Sequence, residues 1–184
     1  MSGADFFIRP TTEDDIPTIL SLIYDLATYE KAAHLAQATP ELLKRNLFEL
    51  HHAHALLAFA GTSAEPGEAL GLALYYFNFS TWTGKPGLYT EYPIITDGSV
   101  KLEDLFVKPE ARSTGIGKAF FAELGAIAQE KDCARMEWVV LKWNQPSIDF
   151  YEKKLKAKAM TEWMGMRLEE SQIDNLKKLS VKPN

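Results

Sequence analysis

The stretch from Lys101 to Leu141 constrains this chain most, because its residues change period twice. Lys101 to Val107 reads as a strand that stops at Lys108-Pro109. From Gly115 the residues Ile116, Phe120, Leu124 and Ile127 describe one helical face, and Met136 to Leu141 reads as the following strand. Such a strand, helix, strand unit implies a layered fold with helices laid on a sheet. Its first junction runs Arg112-Ser113-Thr114-Gly115-Ile116-Gly117-Lys118. The first amides of a helix have no partners within it, and with the positive end of the dipole they converge on an anion. Gly115 and Gly117 let a diphosphate approach the backbone, while Arg112 and Lys118 add charge. A P-loop would need Gly at position 112 and Ser or Thr at 119, where the chain has Arg112 and Ala119. A dinucleotide fingerprint would need a small residue at 120, where Phe120 stands. Taken alone, the segment is either a phosphate cradle or a plain turn with packing glycines.

The remaining elements build outward from that unit. Phe6 to Pro10 reads as a first strand, followed by Thr11 and Thr12 as caps and by Glu13, Asp14 and Asp15, acids suited to a helix N-terminus. Ile16, Ile19, Leu20, Ile23, Leu26 and Ala27 then recur at helical spacing to about Lys31. A second helix is expected after Thr39-Pro40, through Leu43, Leu47 and Leu50. Ala55 to Ala60 and Leu70 to Phe79 form a plausible antiparallel hairpin, and Asp97-Gly98-Ser99 is a turn closing the Pro- and Tyr-containing stretch from Lys85 to Thr96. Asn144 reads as a helix cap with Pro146 in the first turn, and Ile148, Tyr151 and Leu155 share a face. Two short strands, Lys158 to Trp163 and Met166 to Leu168, and a polar helix through Leu179 complete the expectation. With no repeat or linker, residues 1–184 are expected to form a single α+β domain.

Composition narrows the function classes. A hydrophobic content of 46% suffices for a core, while a net charge of -5 gives no basic field for a phosphate backbone, so nucleic acid is not expected as a partner. A cationic small substrate suits the charge better. Cys133 stands alone, which excludes a disulfide framework and a thiolate zinc site. His51, His52 and His54 have no Cys or carboxylate spaced to complete a metal site. Met1 to Asp5 lacks the pattern of an export signal, and no apolar run is long enough for a bilayer. A cytoplasmic protein without metal or membrane partner is expected.

Arg112, Gly115 and Gly117 match the acyl-CoA signature of the GCN5-related N-acetyltransferase (GNAT) superfamily, a Gln or Arg, two residues, Gly, one residue, then Gly or Ala. Further blocks resemble its diamine and thialysine acetyltransferase branch: Leu26-Ala27-Thr28-Tyr29-Glu30, Tyr75-Tyr76-Phe77, Ser80-Thr81-Trp82-Thr83-Gly84, Leu102-Glu103-Asp104 and Trp143 to Tyr151. The segments Glu137 to Val140 and Glu162-Trp163 to Arg167-Leu168 look more like the plant members. The resemblance implies a GNAT fold, a mixed and mostly antiparallel sheet of about seven strands flanked by helices. It also implies acetyl-CoA as co-substrate, direct transfer to a primary amine of a small molecule, and a homodimer. Cofactor contacts would come from Leu105, Phe106 and Val107, from the loop Arg112 to Lys118 (Arg112, Ser113, Thr114, Gly115, Ile116, Gly117, Lys118), and from Asn144, Ser147 and Tyr151.

The chemistry sets requirements for particular side chains. An alkyl amine with pKa near ~10.4 is neutral in only about one molecule per thousand at pH 7, so a base must take its proton. By resemblance Glu103 does so through water; otherwise it is an edge-strand surface carboxylate. A leaving thiolate is better protonated, and the phenol of Tyr151 is the acid by resemblance; otherwise Tyr151 is a core aromatic. Strand amides near Phe106 and Val107 are expected to meet the developing negative charge, since the family splays two strands there. Asn144 and Ser147 are contacts to the CoA arm or simply helix caps. Tyr29, Glu30, Trp82, Glu103 and Glu137 are placed around the amine channel by resemblance, aromatics and carboxylates being suited to an ammonium. The alternatives are a loop anchor for Trp82 and a solvated helix end for Glu30. Three departures from the family pattern stand out: Met164-Gly165-Met166 where polyamine enzymes carry Glu-Gly-Trp, Leu155-Lys156-Ala157 after the Tyr151 helix, and an insertion at Thr90 to Val100. A protein or peptide acetyltransferase and a non-catalytic acetyl-CoA-binding module are the competing functions.

Overall fold

The computed structural model describes residues 5–89, 105–166, 168 and 170–179. Its chain divides into two compact bodies, Met1–Trp143 and Asn144–Asn184.

The larger body is organised by strands buried on both faces. β1 (Phe6–Pro10), β2 (His54–Gly61), β3 (Pro66–Ser80), β4 (Lys85–Tyr89), β5 (Leu105–Val107) and β6 (Met136–Glu137) form a six-stranded sheet in the order β1-β2-β3-β4-β6, with β5 paired to β3. Every pairing is antiparallel except β4 with β6. One apolar layer joins Leu57, Leu72, Leu74 and Phe106 to Ile19, Leu22 and Ile23 of α1 (Ile16–Tyr29). The opposite layer joins Leu56, Ala58 and Leu88 to Ile116, Phe120 and Leu124 of α3 (Ile116–Glu130). These are the helical faces expected from periodicity, each buried against one side of the sheet.

Asp15 ties β1 to the start of α1. It accepts two 2.7 Å bonds from the Arg9 guanidinium and a 2.7 Å bond from the Thr12 N–H. The Arg9 bonds hold this buried carboxyl below the usual carboxylate range. After α1, α2 (Pro40–Leu43) is capped by Thr39, whose hydroxyl accepts from the Leu42 N–H, and continues as a wider π-helical stretch, Lys44–Glu49. His54 opens β2. Its ring packs 5.4 Å from Tyr75 and 5.9 Å from Phe77, and burial lowers its pKa.

Several expected elements differ. Lys85–Tyr89 is a strand, not an irregular stretch, because β3 extends far enough to pair with it from Tyr76 to Ser80. β6 stops at Glu137 instead of Leu141, and residues 158–166 and 168 form no strand. The sheet of the described residues thus has six strands where about seven were expected. Alternating apolar residues make a strand only when a neighbour offers hydrogen bonds, and Met160, Trp163, Met164 and Met166 instead stand exposed. The turn at Asp97-Gly98-Ser99 and the insertion at Thr90 to Val100 lie outside the described residues.

The smaller body carries α4 (Gln145–Lys153) and α5 (Glu170–Leu176), with a 3-10 turn at Lys177–Leu179. The Asn144 side chain caps α4 by accepting from the Ser147 N–H at 3.4 Å, and Lys156, at φ 61, turns the chain away from the helix exit. No helix among the described residues is long and apolar enough to cross a membrane.

Gly71 fixes how closely β5 can approach β3. A Cβ there would stand 2.5 Å from the Phe106 carbonyl oxygen and 3.1 Å from the Phe120 ring. Gly71→Ala is therefore expected to destabilise the protein by about 1–3 kcal/mol in urea denaturation. A loss below ~0.5 kcal/mol would mean that the two strands part freely.

Candidate active site

The strand that leads into the glycine loop leaves one edge open. Lys108 N–H donates to the Leu70 carbonyl at 2.9 Å, and Leu72 faces Phe106 in the same register. Ladder bonds alternate along an antiparallel strand, so the backbone groups of Phe106 face β3 and those of Val107 face away. Among the described residues no strand pairs with that outer edge. Of the two amides expected to meet negative charge, the Val107 N–H is the one directed away from β3.

The loop itself is shaped by two left-handed residues, Ser113 at φ 66 and Gly115 at φ 106. Thr114 Oγ1 donates to the Ala111 carbonyl at 2.7 Å, and Ala119 N–H donates to Gly115 at 3.0 Å, the first bond of α3. The amides of Ile116, Gly117 and Lys118 precede that bond and remain available, as helix-start amides do. A Cβ placed on Gly115 or Gly117 would meet nothing within 4 Å, whereas Ile116 between them is 1% exposed. The buried isoleucine anchors the turn while the two glycines keep its outer surface clear. This arrangement fits a diphosphate and the acyl-CoA that carries one, with Ser113, Thr114 and Lys118 exposed at the rim.

Arg112 makes two contacts that its place in the loop did not foretell. Its Nε donates to the Val107 carbonyl at 3.0 Å, and its guanidinium carbon lies 4.2 Å from the centre of the Tyr29 ring. Tyr29 also faces Trp143 at 6.3 Å, a contact that sequence reasoning missed. The only available signal was the place of Trp143 directly before the cap Asn144.

Glu30, at the end of α1, is not a solvated helix end. It is 8% exposed, and its Oε2 has no hydrogen-bond partner among the described residues. Burial raises its pKa to about 7. Buried Ala27 and Ala32 flank it, and Lys31 at φ 63 turns the chain back over it. Tyr29, Arg112 and Val107 are thus linked in the larger body, with Glu30 following Tyr29 in the chain.

Other expected residues are distributed differently. Trp82, at the β3–β4 turn, is 90% exposed. Glu137 is paired with Arg135 at 2.8 Å. Tyr151 is buried on α4 beside Phe150, at 5.7 Å between rings, and buried Asn144 caps the same helix over Ser147. Glu103 lies outside the described residues. A cavity lined by Pro17, Thr18, Ser21, Leu22, Ala69 and Lys108 contains none of the expected catalytic or substrate residues. Among the described residues, no three His, Cys, Asp or Glu gather as a metal site would require.

Comparison with known proteins gives this geometry a context. A family model described as "Acetyltransferase (GNAT) family" matches residues 20–156. Thialysine N-epsilon-acetyltransferase of Sus scrofa is 35% identical, over 90% of this chain and 94% of its own. The protein of the same name from Bos taurus is 35% identical, over 86% of this chain and 87% of its own. Among solved structures, an integron cassette protein from the mobile metagenome of V.cholerae superposes with a TM-score of 0.71 at 23% identity. That match covers 96% of this chain and 99% of the other. The last likeness is one of fold.

An unfolded chain ionises a glutamate near ~4.3, whereas folded Glu30 keeps its proton up to about 7. A group whose folded pKa is raised in this way costs stability as pH climbs between the two values. Glu30→Gln is expected to raise the melting temperature at pH 8 and to change it little at pH 4. Equal shifts at both pH values would show that a cation of the protein already meets Oε2.

Proposed function

This chain belongs to the acetyltransferase (GNAT) family, and from that premise we propose that it transfers acetyl from acetyl-CoA to the primary amine of a small molecule such as a diamine, ornithine or thialysine. The observation that carries the reading is Glu30, a buried carboxylate whose Oε2 has no hydrogen-bond partner among the described residues, next to Tyr29 in the chain. An ionised carboxylate out of water requires a cation, and an aromatic face favours an ammonium over a neutral ligand. The names of the pig and cattle relatives, both thialysine N-epsilon-acetyltransferases, support an amine of this size.

Acetyl-CoA, bound at the loop, supplies an activated acyl group. The backbone amides of Ile116, Gly117 and Lys118 hold the diphosphate, and Leu105, Phe106 and Val107 run alongside as the strand that feeds the loop. The Val107 N–H faces the open edge of β5, where it donates to negative charge as it develops. Glu103 takes the ammonium proton through water, which leaves the amine nucleophilic. The Tyr151 phenol holds the proton that the departing sulfur takes up, with Asn144 and Ser147 lending contacts to the same arm. Glu137, already balanced by Arg135, and exposed Trp82 form the outer acceptor channel. The same reading makes the chain a single functional domain, cytoplasmic and homodimeric, that works without metal.

Turnover of acetyl-CoA against a panel of diamines, basic amino acids and lysine peptides tests the acceptor class. Activity with peptides alone, or with nothing, would overturn it. Tyr151→Phe is expected to reduce turnover by about 10²-fold, in line with the usual contribution of a general acid, while calorimetry finds acetyl-CoA affinity nearly intact. Gly117→Ala separates cradle from packing glycine: alanine favours the helix by up to about 1 kcal/mol, so the melting temperature should rise or hold while acetyl-CoA binding weakens. Unaltered binding would remove Gly117 from the donor site.

A further inference from the structure

Trp143 is the last residue of the larger body, directly before the Asn144 cap, and it is 56% exposed. Its ring stands 6.3 Å from that of Tyr29 at an interplanar angle of 48°, so the two rings meet as a corner and not as a stack. The Arg112 guanidinium lies 4.2 Å from the centre of the Tyr29 ring. One face of Tyr29 is therefore already occupied by a cation, and Trp143 brings the larger exposed aromatic surface to the corner. Glu30, the buried carboxylate, follows Tyr29 in the chain.

An aromatic face and a carboxylate both favour the charged form of an amine. At the nitrogen that attacks the acetyl group this preference is a hindrance, because that nitrogen must first give up its proton. Against a nitrogen that stays charged throughout the reaction, the same groups only attract. We propose that Trp143, together with Tyr29, is a specificity-determining residue that receives the second, non-reacting ammonium of the acceptor. The inference rests on the amine-acetyltransferase reading and deepens it. The favoured acceptors carry two cationic nitrogens, as diamines and diamino acids do, whereas monoamines and the lysine side chains of peptides are disfavoured. Indole is the best of the aromatic faces for a cation. Arg112 does not oppose the incoming charge in the working complex, since its place in the donor loop sets its own charge against the diphosphate of acetyl-CoA.

The test compares linear diaminopentane with pentylamine, which differ by one ammonium, in the unaltered chain and in Trp143→Leu and Trp143→Phe. The unaltered chain is expected to show the lower KM for the diamine. Trp143→Leu keeps an apolar side chain and removes the aromatic face. It should shrink the ratio of monoamine KM to diamine KM by about two- to fivefold, and by up to about thirtyfold if the corner is desolvated on binding. Trp143→Phe, which restores a weaker face, should recover part of that ratio. Where pentylamine turns over too slowly, its inhibition constant against the diamine takes the place of KM. Calorimetry should find acetyl-CoA affinity nearly intact, and thermal melts check that each variant of this exposed residue keeps its fold. Proportional rises in KM for both amines would mark Trp143 as plain apolar packing, and weakened acetyl-CoA binding would place it on the donor; either result overturns the proposal. A chain that acetylates no amine sinks the functional reading and this inference together, whereas turnover with an unchanged ratio sinks the inference alone.

Discussion

The hydrogen-bond ladder of β3 is the constraint on which the larger body depends. One of its edges is occupied by β2 from Pro66 to Tyr75, and the other is divided between β5, at Gly71 to Ala73, and β4, at Tyr76 to Ser80. Two strands that share one edge must follow one another along it instead of lying side by side. β6 then extends the sheet beyond β4 and not beyond β5. The opening beside Val107 is consequently a product of the sheet's connectivity. It needs no strained residue to maintain it, only the close β3–β5 approach that the missing side chain of Gly71 permits.

Two buried carboxylates show how the protein treats structure and chemistry differently. Asp15 meets a fork of arginine bonds and the Thr12 amide, so burial costs it little and its charge is secure. Among the described residues Glu30 Oε2 receives no such provision, and burial raises its pKa. Polar satisfaction is the rule in folded proteins, and departures from it concentrate where a ligand is expected to complete the set. The contrast between these residues is informative because both sit at ends of α1, within the same layer of the fold.

The parts of the fold legible in the sequence were those decided locally. The faces of α1 and α3 followed from spacing, and the cap at Asn144 from a side chain that bonds its own helix. The parts that were not legible depend on distant partners. Pro86 and Gly87 discourage a strand by propensity, but the long reach of β3 makes one. The alternation of residues 158 to 168 suggests strands that gain no neighbour. At the candidate site the glycine loop was readable because backbone geometry requires those glycines. The contact of Arg112 with the Tyr29 ring was not, since it joins residues distant in the chain. Glu103, prominent in the sequence pattern, lies outside the described residues, so its role remains a matter for the proposed chemistry.

The outer edge of β5 has a thermodynamic meaning as well as a chemical one. Among the described residues no strand meets that edge; Arg112 satisfies the Val107 carbonyl, and an N–H left without a protein partner there would turn to water. A molecule entering beside Val107 would then exchange places with solvent. The more faithfully its acyl group and amide linkages copy the bonds of those waters, the less it forfeits on entry. Selectivity for the donor would then lie partly in the solvent structure of an unfinished sheet, which rewards an extended, amide-bearing chain over any anion of equal charge.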